Sequence, residues 1–131
     1  MIAQLIVRRS GRVIYHIAFG EDWARATRVG EYTISTRGRT LAEQGFIHAS
    51  DAHQVAAVAN FIFKAADGLI VLVIDTDRLR SPVRYETAPG TDEAFPHIYG
   101  PLNADAVIAT TPLERGPDGQ FAFDGQQTAD G

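Results

Sequence analysis

Alternating and continuous runs of apolar residues predict a chain built mostly from short strands. Residues 13–19 combine β-branched and aromatic side chains, which predicts a strand that Gly20 ends. Residues 69–75 are apolar on both faces, as in a central strand covered on both sides. Three further strands are predicted at 46–49, 83–86 and 106–111.

Two capping signals mark predicted helices. Thr40 with Glu43 forms a capping box for one helical turn, and Asp51 with Gln54 forms a second one. The second box begins the clearest helix, whose buried stripe has the spacing of one helix face: Val55, Val58, Ala59 and Ile62. A shorter helix follows Gly20 and is stopped by Gly30.

The remaining segments predict loops and a tail. Residues 33–39 are polar, and residues 95–102 hold two prolines and a glycine, so both are predicted loops. Residues 1–123 form one predicted domain, and residues 124–131 a disordered tail. Because strands outnumber long helices and only one helix is long, the pattern predicts an α+β fold and not a doubly wound α/β fold.

Composition excludes several classes of protein. The 131 residues are 45% hydrophobic and 21% charged, which is enough to bury a core. The net charge of −4 argues against a general nucleic-acid binder. The chain has no cysteine, so disulfides, thiolate nucleophiles and cysteine-bound metals are excluded. No export signal or membrane-length apolar run is visible, so the sequence predicts a cytoplasmic protein with no membrane partner.

Arginine is concentrated near the beginning of the chain. Residues 1–50 carry seven arginines against four acidic residues, which indicates either an anion site or a solvated surface. Neither a G-x-G-x-x-G nor a P-loop motif is present. The arginines are Arg8, Arg9, Arg12, Arg25, Arg28, Arg37 and Arg39.

Three histidines stand in settings that indicate chemistry. His16 lies inside a predicted strand, His48 precedes a helix start, and His97 lies in the proline-bracketed segment 95–102. Each alone is more simply a satisfied core or surface group, but three beside aromatic residues indicate a shared site. Metal-ligand spacing is lacking, because His48 and His53 are five residues apart, so no metal site is predicted.

Other polar and aromatic side chains complete the candidate site. Glu86 beside imidazoles would make an acid–base set, or it simply pairs with Arg84 on the surface. Ser50 either caps the following helix or donates to a ligand. Tyr99 and Trp23 either stack on a planar ligand or belong to the core.

Several segments together resemble a known family. The most specific are G-F-I-H-A-S at 45–50 and F-P-H-I-Y-G-P-L at 95–102, supported by I-Y-H-I at 14–17 and V-R-Y-E at 83–86. Their order over about residues 13–113 is similar to that of domain-of-unknown-function family 952.

The resemblance implies a split, mostly antiparallel α+β fold like that of ADP-ribosyltransferases, with a few short helices and one longer helix. It implies a cleft that takes NAD in active relatives, with His16 at the first-strand position and His48 at a second. The third position is Glu86 or His97.

Three functions follow as expectations. The first is an NAD- or ADP-ribose-type nucleotide-handling enzyme with His16, His48, Glu86 and His97 as catalytic residues. In this hypothesis NAD is a substrate and no cofactor is required. The alternatives are a non-catalytic module that binds a small nucleotide or anion, and a histidine-based metal hydrolase. The binding residues predicted for the first are Ser50, Tyr99, Arg84 and Trp23.

Overall fold

The fold is given by a computed structural model that describes residues 12–125. Short strands dominate it, as the apolar pattern predicts. The strands are β1 (Val13–Phe19), β2 (Glu31–Tyr32), β3 (Ile34–Thr36), β4 (Arg39–Thr40), β5 (Ile47–His48), β6 (Leu69–Asp75), β7 (Val83–Thr87), β8 (Ala94–Ile98), β9 (Leu102–Asn103) and β10 (Val107–Pro112). The helices are α1 (Gly20–Val29), α2 (Leu41–Gln44) and α3 (Val55–Ile62), with 3₁₀ turns at Ala52–Gln54 and Ala104–Ala106.

Two three-stranded sheets form the frame of the molecule. The first has the order β1-β6-β10 and the second the order β5-β8-β7. Two small pairs, β2 with β9 and β3 with β4, accompany them, and every pairing between these strands is antiparallel. Backbone hydrogen bonds between Tyr15 and Ser50 join the first strand of one sheet to the other sheet. The α+β class is therefore confirmed.

The central strand β6 is buried on both faces, as its continuous apolar run predicts. Val71 and Val73 pack with α3 in one cluster of the core, and Leu72 and Ile74 belong to a second cluster. All four are fully buried. Each face of the sheet therefore has its own core, and the second face carries His16 of β1 among its neighbours.

Local capping chemistry sets both predicted helix starts. Thr40 accepts from the backbone of Glu43, whose side chain accepts from the backbone of Thr40. At the second box the Asp51 N–H donates to Gln54 Oε1 at 2.9 Å, but the turn that follows is 3₁₀. The prediction that this is the one longer helix of the chain is wrong. α3 has eight residues, and α1 is longer with ten.

Two predicted loops are wrong. Residues 95–102 contain most of β8, the central strand of its sheet, and residues 33–39 contain β3 and the start of β4. Pro96 is tolerated in β8 because its carbonyl accepts from the backbone of Ala49, while its missing N–H removes only one bond of the ladder. The prolines therefore led to a loop prediction for a segment that is a strand, because pairing with β5 and β7 stabilises it on both sides.

No helix within residues 12–125 has the length and apolar character needed to cross a membrane. Most of the predicted tail lies outside the described residues. Gly125, near its start, is buried, and a side chain built there would come within 3.1 Å of Ala52.

Candidate active site

Strand pairing brings four predicted site residues to one face of the second sheet. His48 of β5 lies opposite His97 of β8, and His97 lies opposite Arg84 of β7. Glu86 follows Arg84 by two positions and so faces the same way. The register of three short strands therefore assembles side chains that are distant in the sequence.

His97 and Glu86 form a hydrogen-bonded pair. His97 Nδ1 lies 2.7 Å from Glu86 Oε1, and the Tyr99 hydroxyl donates to the same oxygen at 2.5 Å. These hydrogen bonds, that of Tyr99 above that of His97, hold the pKa of Glu86 below its ordinary value. Because the carboxylate accepts, Nδ1 of His97 carries the proton, and Nε2 is the nitrogen left for a ligand.

Aromatic contacts fix the plane of the His97 ring. Phe46 stacks on it with 3.9 Å between ring centroids and an interplanar angle of 13°. Tyr99 lies against Phe46 at 5.6 Å, and the Arg84 guanidinium lies 5.1 Å from the Tyr99 ring centroid. The side chain of His97 is 12% exposed and that of Glu86 39%. The pair is thus held rigidly while it stays accessible to solvent.

The imidazole of His48 is largely enclosed and neutral. Its ring centroid lies 5.9 Å from that of His97 and 5.3 Å from that of Phe95. Burial lowers its pKa to about 4, and the nearby His97 contributes. Its Nε2 is buried and has no hydrogen-bond partner within the described chain. Nε2 of His48 is therefore a hydrogen-bonding atom that no described residue uses.

His16 lies behind this face, and both of its ring nitrogens are occupied. Nδ1 donates to the backbone carbonyl of His48 at 2.5 Å, and Nε2 lies 2.8 Å from the Tyr32 hydroxyl. Burial lowers the pKa of His16 to about 4, so the ring is neutral and Nε2 accepts from Tyr32. His16 thus supports the backbone of β5 and presents no free nitrogen to a ligand.

Tyr32→Phe is expected to destabilise the protein by about 1–3 kcal/mol, because it leaves the buried Nε2 of His16 without a donor. Urea unfolding at neutral pH measures this loss. Tyr85→Phe is the matched control, since Tyr85 is 40% exposed and water can replace its hydroxyl contacts. An equal effect of the two substitutions would contradict the supporting role of Tyr32.

Ser50 and Trp23 occupy positions outside the His97–Glu86 cluster. Ser50 is buried beside His16 and His48 at a space of about 10 Å³, and the helix cap behind it is Asp51. Trp23 packs on Tyr32, with 6.5 Å between ring centroids, against the second core cluster. The position of Trp23 matches the core alternative. Asp51 and not Ser50 is the N-cap, so the capping alternative for Ser50 is not observed, and donation to a ligand stays a prediction.

A cleft of about 380 Å³ opens beside His48 and His97. One wall is the outer face of α3, and the others come from β5, β8 and the segment after β7. Its lining residues are Phe46, His48, Ala57, Val58, Phe61, Ile62, Thr87, Ala88, Pro89, Phe95 and His97. The cleft therefore presents an apolar, aromatic surface to a ligand next to the acid–base pair.

The phenylalanines of this site were not among the residues predicted from the sequence. Phe46 and Phe95 each precede a site histidine by two residues, and strand periodicity places such residues on the same face. That signal was available at His48 and His97. Phe61 could not be predicted in this way, because it lies outside the buried stripe of α3 and its side chain is 76% exposed.

Metal binding receives no support from the geometry. Within residues 12–125, no group of three or more histidine and acidic side chains is arranged to hold a metal ion. The carboxylate of Glu86 is already bonded to His97 and Tyr99.

Solved structures of one bacterial protein share this fold. The crystal structure of CC0527 from Caulobacter crescentus is 25% identical, covers 91% of this chain and 99% of that one, and gives a TM-score of 0.74. A double mutant of CC0527 gives the same TM-score at 24% identity and the same coverage. Its solution NMR structure is 27% identical, with a TM-score of 0.67, and covers 88% of this chain and 95% of that chain.

No curated protein matches the chain significantly. The sequence model of the family described as "Protein of unknown function (DUF952)" matches residues 17–110, most of the chain. The match begins within β1 and ends within β10, so it includes the whole second sheet and the His97–Glu86 cluster. The chain belongs to the DUF952 family.

Proposed function

We propose that this protein acts on a nucleotide of the NAD or ADP-ribose type, with His97 and Glu86 as its acid–base pair. The observation that carries the proposal is the 2.7 Å hydrogen bond between His97 Nδ1 and Glu86 beside a cleft lined by aromatic rings. A carboxylate that holds one imidazole nitrogen protonated leaves the other as a base. The split antiparallel arrangement agrees with the ADP-ribosyltransferase-like fold that we also propose.

The proposed reaction is cleavage of the bond between nicotinamide and ribose in NAD. The C–N bond breaks, and its electron pair goes to the ring nitrogen, so neutral nicotinamide leaves. Positive charge develops on the ribosyl carbon, which the Glu86 carboxylate stabilises. A water molecule attacks that carbon, and its proton passes to Nε2 of His97. The products are nicotinamide and ADP-ribose.

Charge determines how such a ligand would lie. Cationic side chains lie next to residues of the cleft but are not part of its lining. Lys64 Nζ is 6.0 Å from the Phe61 ring centroid, and Arg37 donates to the carbonyl of Ile62 at 3.0 Å. Arg84 lies over the ring of Tyr99, which itself lies against Phe46. Phosphate groups would therefore remain outside, near solvent and near these cations. The sugar would lie between them and His97.

A non-catalytic binding module is the second candidate function. The apolar lining of the cleft favours it, because such a lining suits a flat ligand and offers few polar groups for chemistry. Under this hypothesis the protein would bind ADP-ribose without cleaving NAD.

Incubation of the purified protein with NAD, followed by chromatographic measurement of nicotinamide, tests the proposal. We expect nicotinamide and ADP-ribose to form in equal amounts. Binding of ADP-ribose without release of nicotinamide would favour the binding module. The absence of both would contradict both candidates.

A further inference from the structure

We infer that the cleft binds a flat heteroaromatic ring that carries no negative charge, and that Phe61 of α3 is the side chain that stacks on it. This inference rests on the proposed function and deepens it, because it assigns the base end of the nucleotide to the cleft. A ring of this kind is shared by nicotinamide and adenine, and the inference concerns that shared chemistry.

The charge of the lining is the first argument. Among the described residues that line the cleft there is no lysine, arginine, aspartate or glutamate. His48, which also lines the cleft, is neutral near pH 7 because burial lowers its pKa to about 4. A phosphate or carboxylate placed inside would lose its hydration without gaining a cationic partner, which is costly. The occupant therefore carries no negative charge.

The exposure of Phe61 is the second argument. Its side chain is 76% exposed, and it lies on the cleft wall together with Ala57 and Ile62 of the same helix. The wall formed by the second sheet contributes Phe46 and Phe95. Aromatic side chains on two walls favour a planar ligand, since ring stacking adds to the gain from burial of apolar area. An aliphatic ligand would gain only from the burial of apolar area.

The polar groups of the cleft are the third argument. His97 and Thr87 line the cleft, and they carry an imidazole nitrogen and a hydroxyl that can hydrogen-bond a neutral ligand. The imidazole of His48 also lines the cleft, but its Nε2 is buried. These groups match ring nitrogens and amide or amino substituents, which are the polar features of a heteroaromatic base. The site can therefore hold such a ring in one orientation.

Calorimetric titration of the full chain with nicotinamide, adenosine and ribose 5-phosphate tests this inference. The two uncharged probes should bind, with affinities that stay nearly constant between about 50 mM and about 500 mM salt. Ribose 5-phosphate, which lacks the ring, should not bind. The reverse order of binding would overturn the inference.

Substitutions at Phe61 test its role directly. Phe61→Ala should weaken adenosine binding about tenfold, which corresponds to the loss of one stacked base, while Phe61→Tyr should bind like the wild type. Val29→Ala, which also removes a largely exposed apolar side chain but on α1, is the matched control and should change nothing. Equal affinity in the Ala and Tyr variants would overturn the assignment to Phe61.

Failure of this inference and failure of the proposed function are distinguishable. Release of nicotinamide from NAD by a Phe61→Ala variant at the wild-type rate and KM would overturn the inference alone. Binding of adenosine that depends on Phe61, without any cleavage of NAD, would support the inference and contradict the enzymatic proposal.

Discussion

His97→Gln is expected to lower the rate of nicotinamide release from NAD by about 100-fold or more. The substitution removes the nitrogen that accepts the proton from water, and a positioned general base contributes about 10²–10⁴-fold. Glutamine is similar in size and polar, so the stacked neighbour Phe46 and the bonded partner Glu86 keep their places. Single-turnover or steady-state release of nicotinamide measures the effect.

The chain offers a matched control for this substitution. His53 is exposed and lies outside the cleft lining, so His53→Gln should leave the rate unchanged. Glu86→Gln should also lower the rate, because it removes the negative charge that accepts from Nδ1 of His97 and that stabilises the ribosyl carbon in the proposed reaction. A His97→Gln variant as active as His53→Gln would contradict the role of the pair.

Mild acid is expected to destabilise the protein by about 3 kcal/mol between about pH 7.5 and about pH 5. The pKa values of His16 and His48 fall from 6.5 to about 4 on folding, because burial penalises the charged rings. Below pH 6.5 the unfolded chain therefore binds protons that the folded chain does not. The stabilisation is complete above about pH 6.5 and is lost as the pH falls towards about 4.

This loss is large against a typical unfolding free energy of about 5–15 kcal/mol. His16, which is fully enclosed, accounts for about 2 kcal/mol of it, and the less enclosed His48 for the rest. Carboxylates such as Glu86 and Asp105 have lowered pKa values, so their contribution is lost at lower pH. The interval above about pH 5 therefore reports mainly on the two histidines.

Urea unfolding at both pH values measures the effect. His48→Gln should reduce the pH dependence by about a third, because the ring with the smaller contribution is gone. His53→Gln should leave the pH dependence unchanged, since the side chain is exposed. Equal stability of the wild type at both pH values would show that the buried rings are not neutral.

Local patterns predicted the elements whose stability comes from their own residues. The strand at 69–75, buried on both faces, and the capping box at Thr40 depend on neighbours in the sequence, and both are confirmed. β8 was missed because Pro96 is a local signal against a strand. The pairing of β8 with β5 and β7, which outweighs that signal, is a tertiary effect.

In the site, too, some features could be predicted from the sequence and others depend on the fold. His48, Glu86 and His97 could be chosen as candidates from residue type and setting, and the structure places them on one sheet face. Their partners could not be chosen. Glu86 bonds to His97 and Tyr99, whereas the surface pair with Arg84 was the local alternative. His16 shows the limit most clearly, because only the fold reveals that both its nitrogens are occupied.

Mapping of bound ADP-ribose by two-dimensional NMR tests the central claim most directly. The claim is that the cleft beside His97 is where a nucleotide of this type binds. Titration should shift the amide signals of His48, Phe61 and His97 and leave those of the separate depression around Arg25 and Val29 unchanged. Shifts confined to that depression, or no shifts at millimolar ADP-ribose, would contradict it.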